Sequence, residues 1–313
     1  MSGVVKYHAL GNDYLVADPR HSGLAPGPGS ARLLCDRHRG VGADGVLYGP
    51  LPAGPAGGDE DGGFHVRVFN PDGTECARSG NGLRIFARYL GEHGYTDRDE
   101  ITLRTPGGSA RVRRSGDAGG DSTIDLGGWT HRDPRWPGDP ELIDAPHRVA
   151  GTAVRVTAVH NGVPHAVVHV DEASPQLAAG LGPLLASGHP GFPDGTNVEF
   201  VTAVDRGTLR AEFWERAGGY TLTSGSGACA AACAAHRLGL TGPEVTVIMP
   251  GGSVSVRIED GERVLLTGPC SKVGSTELAE DFLALLHAAD AAADPVAADP
   301  VARDSATEDV MTG

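Results

Sequence analysis

Alternation of apolar and polar residues marks strands, and a three-to-four spacing marks helices. Val66 and Val68 alternate with polar neighbours in the run VRVFN, as in a half-buried strand. Beyond Ser79, residues Leu83, Phe86, Ala87 and Leu90 fall at helical spacing. Beyond Ser224, the stretch from Ala228 to Leu238 reads as a helix of small residues, with Ala and Cys all round, which predicts burial inside a sheet-lined barrel. The order strand, turn, helix, strand therefore occurs twice.

The repeat is visible residue by residue. Ser79-Gly80-Asn81-Gly82 precedes the first helix and ITLRTPGGSARV follows it; Ser224-Gly225-Ser226-Gly227 precedes the second and VTVIMPGGSVSV follows it. Ser79 to Pro106 is 27 residues and Ser224 to Pro250 is 26. Asn70 and Glu215 each end a strand-like run nine residues before these serines. The expectation is an α+β protein of two pseudo-symmetric domains, each a mostly antiparallel, barrel-like sheet around a central helix, with the active site in the cleft between them. The expected division is 1–148, 149–277, and 278–313 as a short helix followed by a disordered acidic tail rich in Ala, Asp and Pro. The helix is expected over Glu280 to His287 and the loose tail from about Ala288. Residues 52–63 read as a long polar loop.

Composition narrows the function. The net charge of −14 argues against a general binder of phosphate backbones. From Glu280 onward there are eight acidic residues and one basic, so the tail holds half the excess, and its removal is not expected to affect catalysis. No apolar run approaches the roughly 18 residues of a membrane span. No basic region followed by an apolar stretch opens the chain, and five scattered cysteines fit reduced thiols, so a cytoplasmic protein is expected. Cys229 and Cys233, four apart on one helix without His or Asp partners, read as core residues, and Cys76 as a buried structural thiol.

The two Ser-Gly-x-Gly turns carry the candidate chemistry. The first backbone N–H groups of a helix lack internal partners and the helix dipole adds positive potential, so each turn suits an anion such as a carboxylate. Serine is also a good N-cap. Taken singly each turn reads as a cap; the matched pair favours a site, and the two roles are compatible.

At these residues the sequence resembles the diaminopimelate epimerase family, over about Lys6 to Val273. The motifs are KYHALGNDYLVAD (6–18), RHRGVGADGVL (37–47), FNPDGTE (69–75), SGNGLRIFARYL (79–90), PDGTNVEF (193–200), ER (215–216), SGSGACAA (224–231), PGG (250–252) and TGP (267–269). The resemblance implies an isomerase that moves an α-proton of an amino acid or related carboxylate between two opposed groups, without pyridoxal phosphate, other cofactor or metal. It also implies a role in lysine biosynthesis, a possible homodimer, and no nucleic-acid or membrane partner. By motif, Ser79 and Ser224 occupy the two catalytic positions; His165 is a candidate base or orienter, and Glu215 would bind the polar, ammonium end of the substrate, a direct base role ranking below that. Asn12, Asn70, Asn197 and Arg216 would bind substrate, and Gly80, Asn81, Gly225 and Ser226 would offer backbone N–H groups to the reacting carboxylate.

Four positions depart from the family pattern. Ser79 and Ser224 stand where it has cysteines, Val163 where it has an asparagine before Pro-His, and Tyr220 where a glutamate follows the Glu-Arg pair. A thiol ionises near pH 8.5 and a hydroxyl far higher, so a serine needs its own base. These departures point to a diverged paralogue with an altered, less polar substrate. A dehydratase or lyase, a recruited reaction such as cyclisation, and a catalytically silent binding protein compete with that reading. A serine hydrolase is weak, since no Ser–His–Asp order is evident.

Overall fold

The computed structural model describes residues 2–52, 63–115, 120–132, 141–188, 192–216, 218–259 and 263–293. The polar loop expected at 52–63 lies, apart from its two ends, outside the described residues, as do residues 294–313. In chain order the first half holds β1 (Gly3–Ala9), β2 (Asn12–Ala17), α1 (Pro19–Ser22), α2 (Pro28–Cys35), β3 (Gly45–Leu51), β4 (Phe64–Phe69), β5 (Glu75–Cys76), α3 (Gly80–Glu92), β6 (Glu100–Thr105), β7 (Gly108–Arg114), β8 (Ser122–Gly128) and β9 (Ala145–Val149). The second holds β10 (Thr152–His160), β11 (Pro164–His169), α4 (Pro175–Gly188), β12 (Asn197–Asp205), β13 (Thr208–Glu215), β14 (Gly219–Thr221), α5 (Gly225–Arg237), β15 (Glu244–Met249), β16 (Gly252–Glu259), β17 (Arg263–Gly268), β18 (Ser271–Glu277) and α6 (Glu280–Ala293).

The pairings repeat strand for strand. β1–β2 and β10–β11 are antiparallel, as are β3–β4 and β12–β13. β2–β3 and β11–β12 are parallel, with α2 and α4 as their crossovers. β4–β6 and β13–β15 are parallel, with α3 and α5 as theirs. The meanders β6–β7–β8 and β15–β16–β17 close each unit. Among the described residues only these four pairings are parallel, so the mostly antiparallel α+β architecture matches the sequence reading.

Hydrogen bonding crosses the chain division symmetrically. β9 pairs with β10 of the second half, β18 returns to pair with β1 of the first, and β8 pairs with β17. Each half thus lends its last strand to the other. The same strands tie the two central helices into one core, which contains Leu83, Phe86, Ala87 and Leu90 of α3 and Ala228 to Ala235 of α5. All of these residues are buried, as the helical spacing of α3 and the small residues all round α5 predicted. Cys229 and Cys233 lie in this core, and Cys76 packs against it from a half-buried position with its Sγ toward Arg78 O at 3.3 Å.

The C-terminal helix is longer than the sequence suggested and is integral to the first half. α6 runs to Ala293, past the expected end at His287. Leu286 is fully buried in a second core with Leu34, Tyr48 and Leu278. Helix α2 begins Gly27-Pro28-Gly29 and has no cap of its own. Asp290 of α6 supplies one, its Oδ1 accepting from Ser30 N at 2.7 Å. Gly29 is what admits α6 this close, since a Cβ there would fall 2.2 Å from Ala289 O. Asp290→Ala is expected to cost about 1 kcal/mol and Leu286→Ala about 2–5 kcal/mol in urea unfolding. An unchanged midpoint in both would show that α6 does not belong to the core.

Candidate active site at two facing helix ends

Both serines stand where the sequence placed them, as N-caps with extended backbone. Ser79 has φ −124° and ψ 116°, and Ser224 has φ −137° and ψ 116°. Gly82 N donates to Ser79 Oγ and Gly227 N to Ser224 Oγ, each at 3.1 Å. Gly80 and Asn81 open α3, Gly225 and Ser226 open α5, and the N–H groups of these positions have no acceptor within their helices. The two ends meet: a Cβ at Gly225 would lie 3.3 Å from Asn81 Oδ1. A side chain there would crowd the junction, which accounts for the glycine.

The hydroxyls have unlike partners. Tyr14 OH lies 3.0 Å from Ser79 Oγ. Burial pushes the Tyr14 phenol up, and Ser79 offsets this only in part, so Tyr14 stays protonated. On the other side Ser224 faces the Glu215 carboxyl at the end of β13. Burial raises Glu215, and the Ser224 hydroxyl and the neighbouring His165 pull it back in part. Ser224 is buried, whereas Ser79 is half-buried.

His165 does not line an open surface. It is fully buried on β11, with Nδ1 2.7 Å from Glu199 Oε1 of β12. Trp129 packs on its ring at 5.6 Å between centroids. Burial raises the Glu199 carboxyl, and His165 counters this. His165 Nε2 and Glu199 Oε2 are buried without a hydrogen-bond partner. The pair lies directly beneath the first turn of α5, since a Cβ at Gly227 would be 3.0 Å from Glu199 Oε1.

The remaining candidates fall into separate groups. Asn81 Nδ2 donates to Asn12 Oδ1, and Asn12 Nδ2 to Asp44 Oδ2, both at 3.1 Å. Asn197 Oδ1 accepts from Arg216 N at 2.9 Å, and Arg216 Nη1 donates to Asp194 O at 2.9 Å. Asn70 turns its Nδ2 to Thr74 Oγ1 at 3.0 Å within its own turn. Tyr220 donates to Glu212 at 2.7 Å and packs on the outer core beside α4. Val163 and Leu222, which lies beside Gly11, are exposed apolar residues. No cluster of three or more His, Cys, Asp or Glu suited to a metal occurs among the described residues.

Tyr14, Glu199 and Arg84 are partners that the sequence reading did not single out. Glu199 and Arg84 left a trace, since each is a charge inside an apolar pattern, on β12 and on the buried stripe of α3. Tyr14 left none, because β2 is almost wholly buried.

Solved structures with this fold include racemases, epimerases and isomerases, and also phenazine biosynthesis proteins of the PhzF family. A hydroxyproline epimerase from Agrobacterium vitis superposes with a TM-score of 0.65 at 19% identity, covering 94% of each chain. A methylitaconate-delta-isomerase gives 0.58 at 14% identity, covering 90% of this chain and 96% of the other. At that identity they establish the fold alone. Sequence goes further. The diaminopimelate epimerase model matches residues 4–130 and 157–273, and the chain belongs to that family. It is 38% identical to diaminopimelate epimerase 2 of Nostoc sp. strain PCC 7120 over 90% of its own length and 96% of the relative's. It is equally identical to the diaminopimelate epimerase of Thioalkalivibrio sulfidiphilus, over 86% and 95%. The enzyme is thus of the isomerase class. Among the described residues no helix is long and apolar enough to cross a membrane.

Two stability predictions follow from the caps and from the charges beneath Asn12. Ser79→Ala and Ser224→Ala should each cost about 1 kcal/mol in denaturant unfolding, against a few tenths for Gly at the same positions; equal costs would remove the capping role. Asp13 bonds Lys6 at 2.8 Å and Arg37 at 2.8 Å. Burial alone would raise its carboxyl, but the hydrogen bonds from Arg37 and Lys6 hold it well below the usual range. Its stabilisation is full above the unfolded carboxylate value of about 3.9 and is lost as pH falls through the lowered folded value. Asp13→Asn should therefore flatten the acid limb of the stability curve; an unchanged limb would contradict this.

Proposed function

We propose that this isomerase moves the α-proton of an amino acid or related carboxylate between the Ser224 and Ser79 faces of a substrate held at the ends of α3 and α5. The observation that carries the reading is that each N-cap serine has its own ionisable partner, Glu215 beside Ser224 and Tyr14 beside Ser79. A serine hydroxyl with no base behind it does not ionise usefully near neutral pH. Glu215 supplies that base. As Ser224 Oγ takes the α-proton, its own proton passes to Glu215. On the opposite face Ser79 returns a proton to the carbon and takes one from Tyr14 OH; Tyr14 regains a proton from solvent and Glu215 releases one to it, so both groups are restored after each turnover. Charge developing on the carboxylate meets the unpaired N–H groups of Gly80, Asn81, Gly225 and Ser226. His165, held by Glu199 beneath the α5 turn, orients and polarises the Ser224 side without touching the substrate. Asn12 supports this anion end, while Asn70, Asn197 and Arg216 serve the substrate's distal end.

The relatives are named for diaminopimelate. In this chain Val163 and Tyr220 stand where the family pattern has polar groups, and Val163 and Leu222 are exposed. These residues support a paralogue acting on a less polar substrate. The two functional units are the sequential halves 1–148 and 149–277, with β9 and β18 exchanged between them. A homodimer in the cytoplasm, expected from the family, completes this reading; light scattering of the purified chain tests the dimer.

The test is α-hydrogen exchange in D2O, followed by NMR, with LL-diaminopimelate and a panel of amino acids. Exchange on a panel member is expected, with its acid limb above the usual glutamate value of about 4.3, because Glu215 must be ionised and burial raises it. Glu215→Gln should lower the rate by about 10²–10⁴-fold. Ser79→Cys/Ser224→Cys should gain exchange on diaminopimelate. No exchange by any form, or release of an alkene or keto acid, would replace this reading with silent binding or a lyase.

A further inference from the structure

Among the described residues Arg84 is the largest fully buried side chain, at 0% exposure. Burying a guanidinium is costly unless a counter-charge and hydrogen bonds compensate. Arg84 has few of either. Its Nη2 donates to Asn81 Oδ1 at 2.7 Å and its Nη1 to Pro269 O at 3.4 Å, while Nε has no partner. Among the described residues no carboxylate forms an ion pair with it. The titratable groups that act on it are the Cys270 and Cys229 thiols, which burial pushes up and keeps neutral, and the exposed Asp121. Gly268 leaves space for the guanidinium, since a Cβ there would lie 2.9 Å from Nη1.

The surroundings add positive charge. Arg84 sits on the first turns of α3 and bonds the second residue of that helix. That residue, Asn81, borders Gly225, the first residue of α5. Two helix ends, each equivalent to roughly half a positive charge, and one full guanidinium charge converge, and among the described residues no carboxylate bonds the guanidinium. We propose that Arg84 is a positioning residue whose missing counter-charge is the ligand carboxylate at the paired helix ends. This rests on the reading that a carboxylate binds there. The guanidinium only donates, so Asn81 must turn Oδ1 toward it. Asn81 Nδ2 then faces Asn12 Oδ1, and Asn12 Nδ2 faces Asp44. One buried cation thereby fixes both amides and sets the potential for the anion.

The experiment measures the thermal midpoint of the full chain in sodium acetate against sodium chloride at equal ionic strength, acetate being the minimal carboxylate probe. Acetate should raise the midpoint of the wild type in a saturable way. Arg84→Lys keeps the charge and loses the planar fork; Arg84→Gln keeps a donor for Asn81 and loses the charge. Lys should retain the acetate response, and Gln should weaken acetate binding at least tenfold. Arg84→Met should fold with an equal or higher midpoint in chloride and show no acetate response, because removing an unpaired buried charge relieves its desolvation cost. A wild type indifferent to acetate overturns the proposal, as does a Gln or Met variant that binds acetate like the wild type. Loss of the response in Lys with its retention in Gln would make Arg84 a structural hydrogen-bonding residue. An intact acetate response without α-hydrogen exchange would sink the reaction proposed above and leave the role of Arg84 standing.

Discussion

Two helices that begin at the same point, from opposite halves of the chain, impose the constraint around which this structure is arranged. Helix ends usually reach solvent, where water satisfies their N–H groups. Here α3 and α5 start side by side in the middle of the molecule. Both are capped in the same way by serine, and Gly225 opens the second so that the turns can approach. Everything nearby is adjusted to the resulting positive potential. Asn81 and Asn12 are locked in one orientation, carboxylates stand behind the first contact layer, and a buried arginine reinforces the field.

Holding those ends together takes both halves. β8 bonds β17, and the exchanged strands β9 and β18 prevent either half from closing on its own. The central helices meet this demand differently. α3 buries large side chains such as Phe86, Tyr89 and Leu90, whereas α5 buries little more than Ala and Cys from residue 228 to 235. A helix of small residues lets strands wrap it closely. The C-terminal α6 extends the same economy to the outside, capping α2 with Asp290 because that helix has no polar side chain at its own start.

The duplicated scaffold carries unequal chemistry. Backbone pairing matches strand for strand, and the serine caps agree in bond length, yet Ser79 meets a phenol and Ser224 a carboxyl. The Glu199–His165 pair lies beneath α5, and the cation Arg84 projects from α3. Such asymmetry suits a reaction in which one face removes a proton and the other returns it. It is also how a fold shared by an epimerase and a delta-isomerase can serve different reactions.

By itself the sequence determined the repeat, the two buried helices, the strand-rich surroundings of each and the positions of Ser79 and Ser224. These features follow from periodicity and turn chemistry within about thirty residues, so local pattern suffices. It also carried the family, through its motifs. Tertiary structure alone decided the rest. β9 and β18 change partners because pairing between distant strands leaves no local mark. Tyr14 and Glu199 met their partners across 65 and 34 residues of chain, and Arg84, which bonds Asn81 within its own helix, was enclosed by Pro269, 185 residues away. His165 went beneath the site instead of facing it, because Glu199 on the adjacent strand gave its ring a buried acceptor. Helix α6 outran its expected end because its stability comes from Leu286 and Asp290 docking on α2, which composition cannot register.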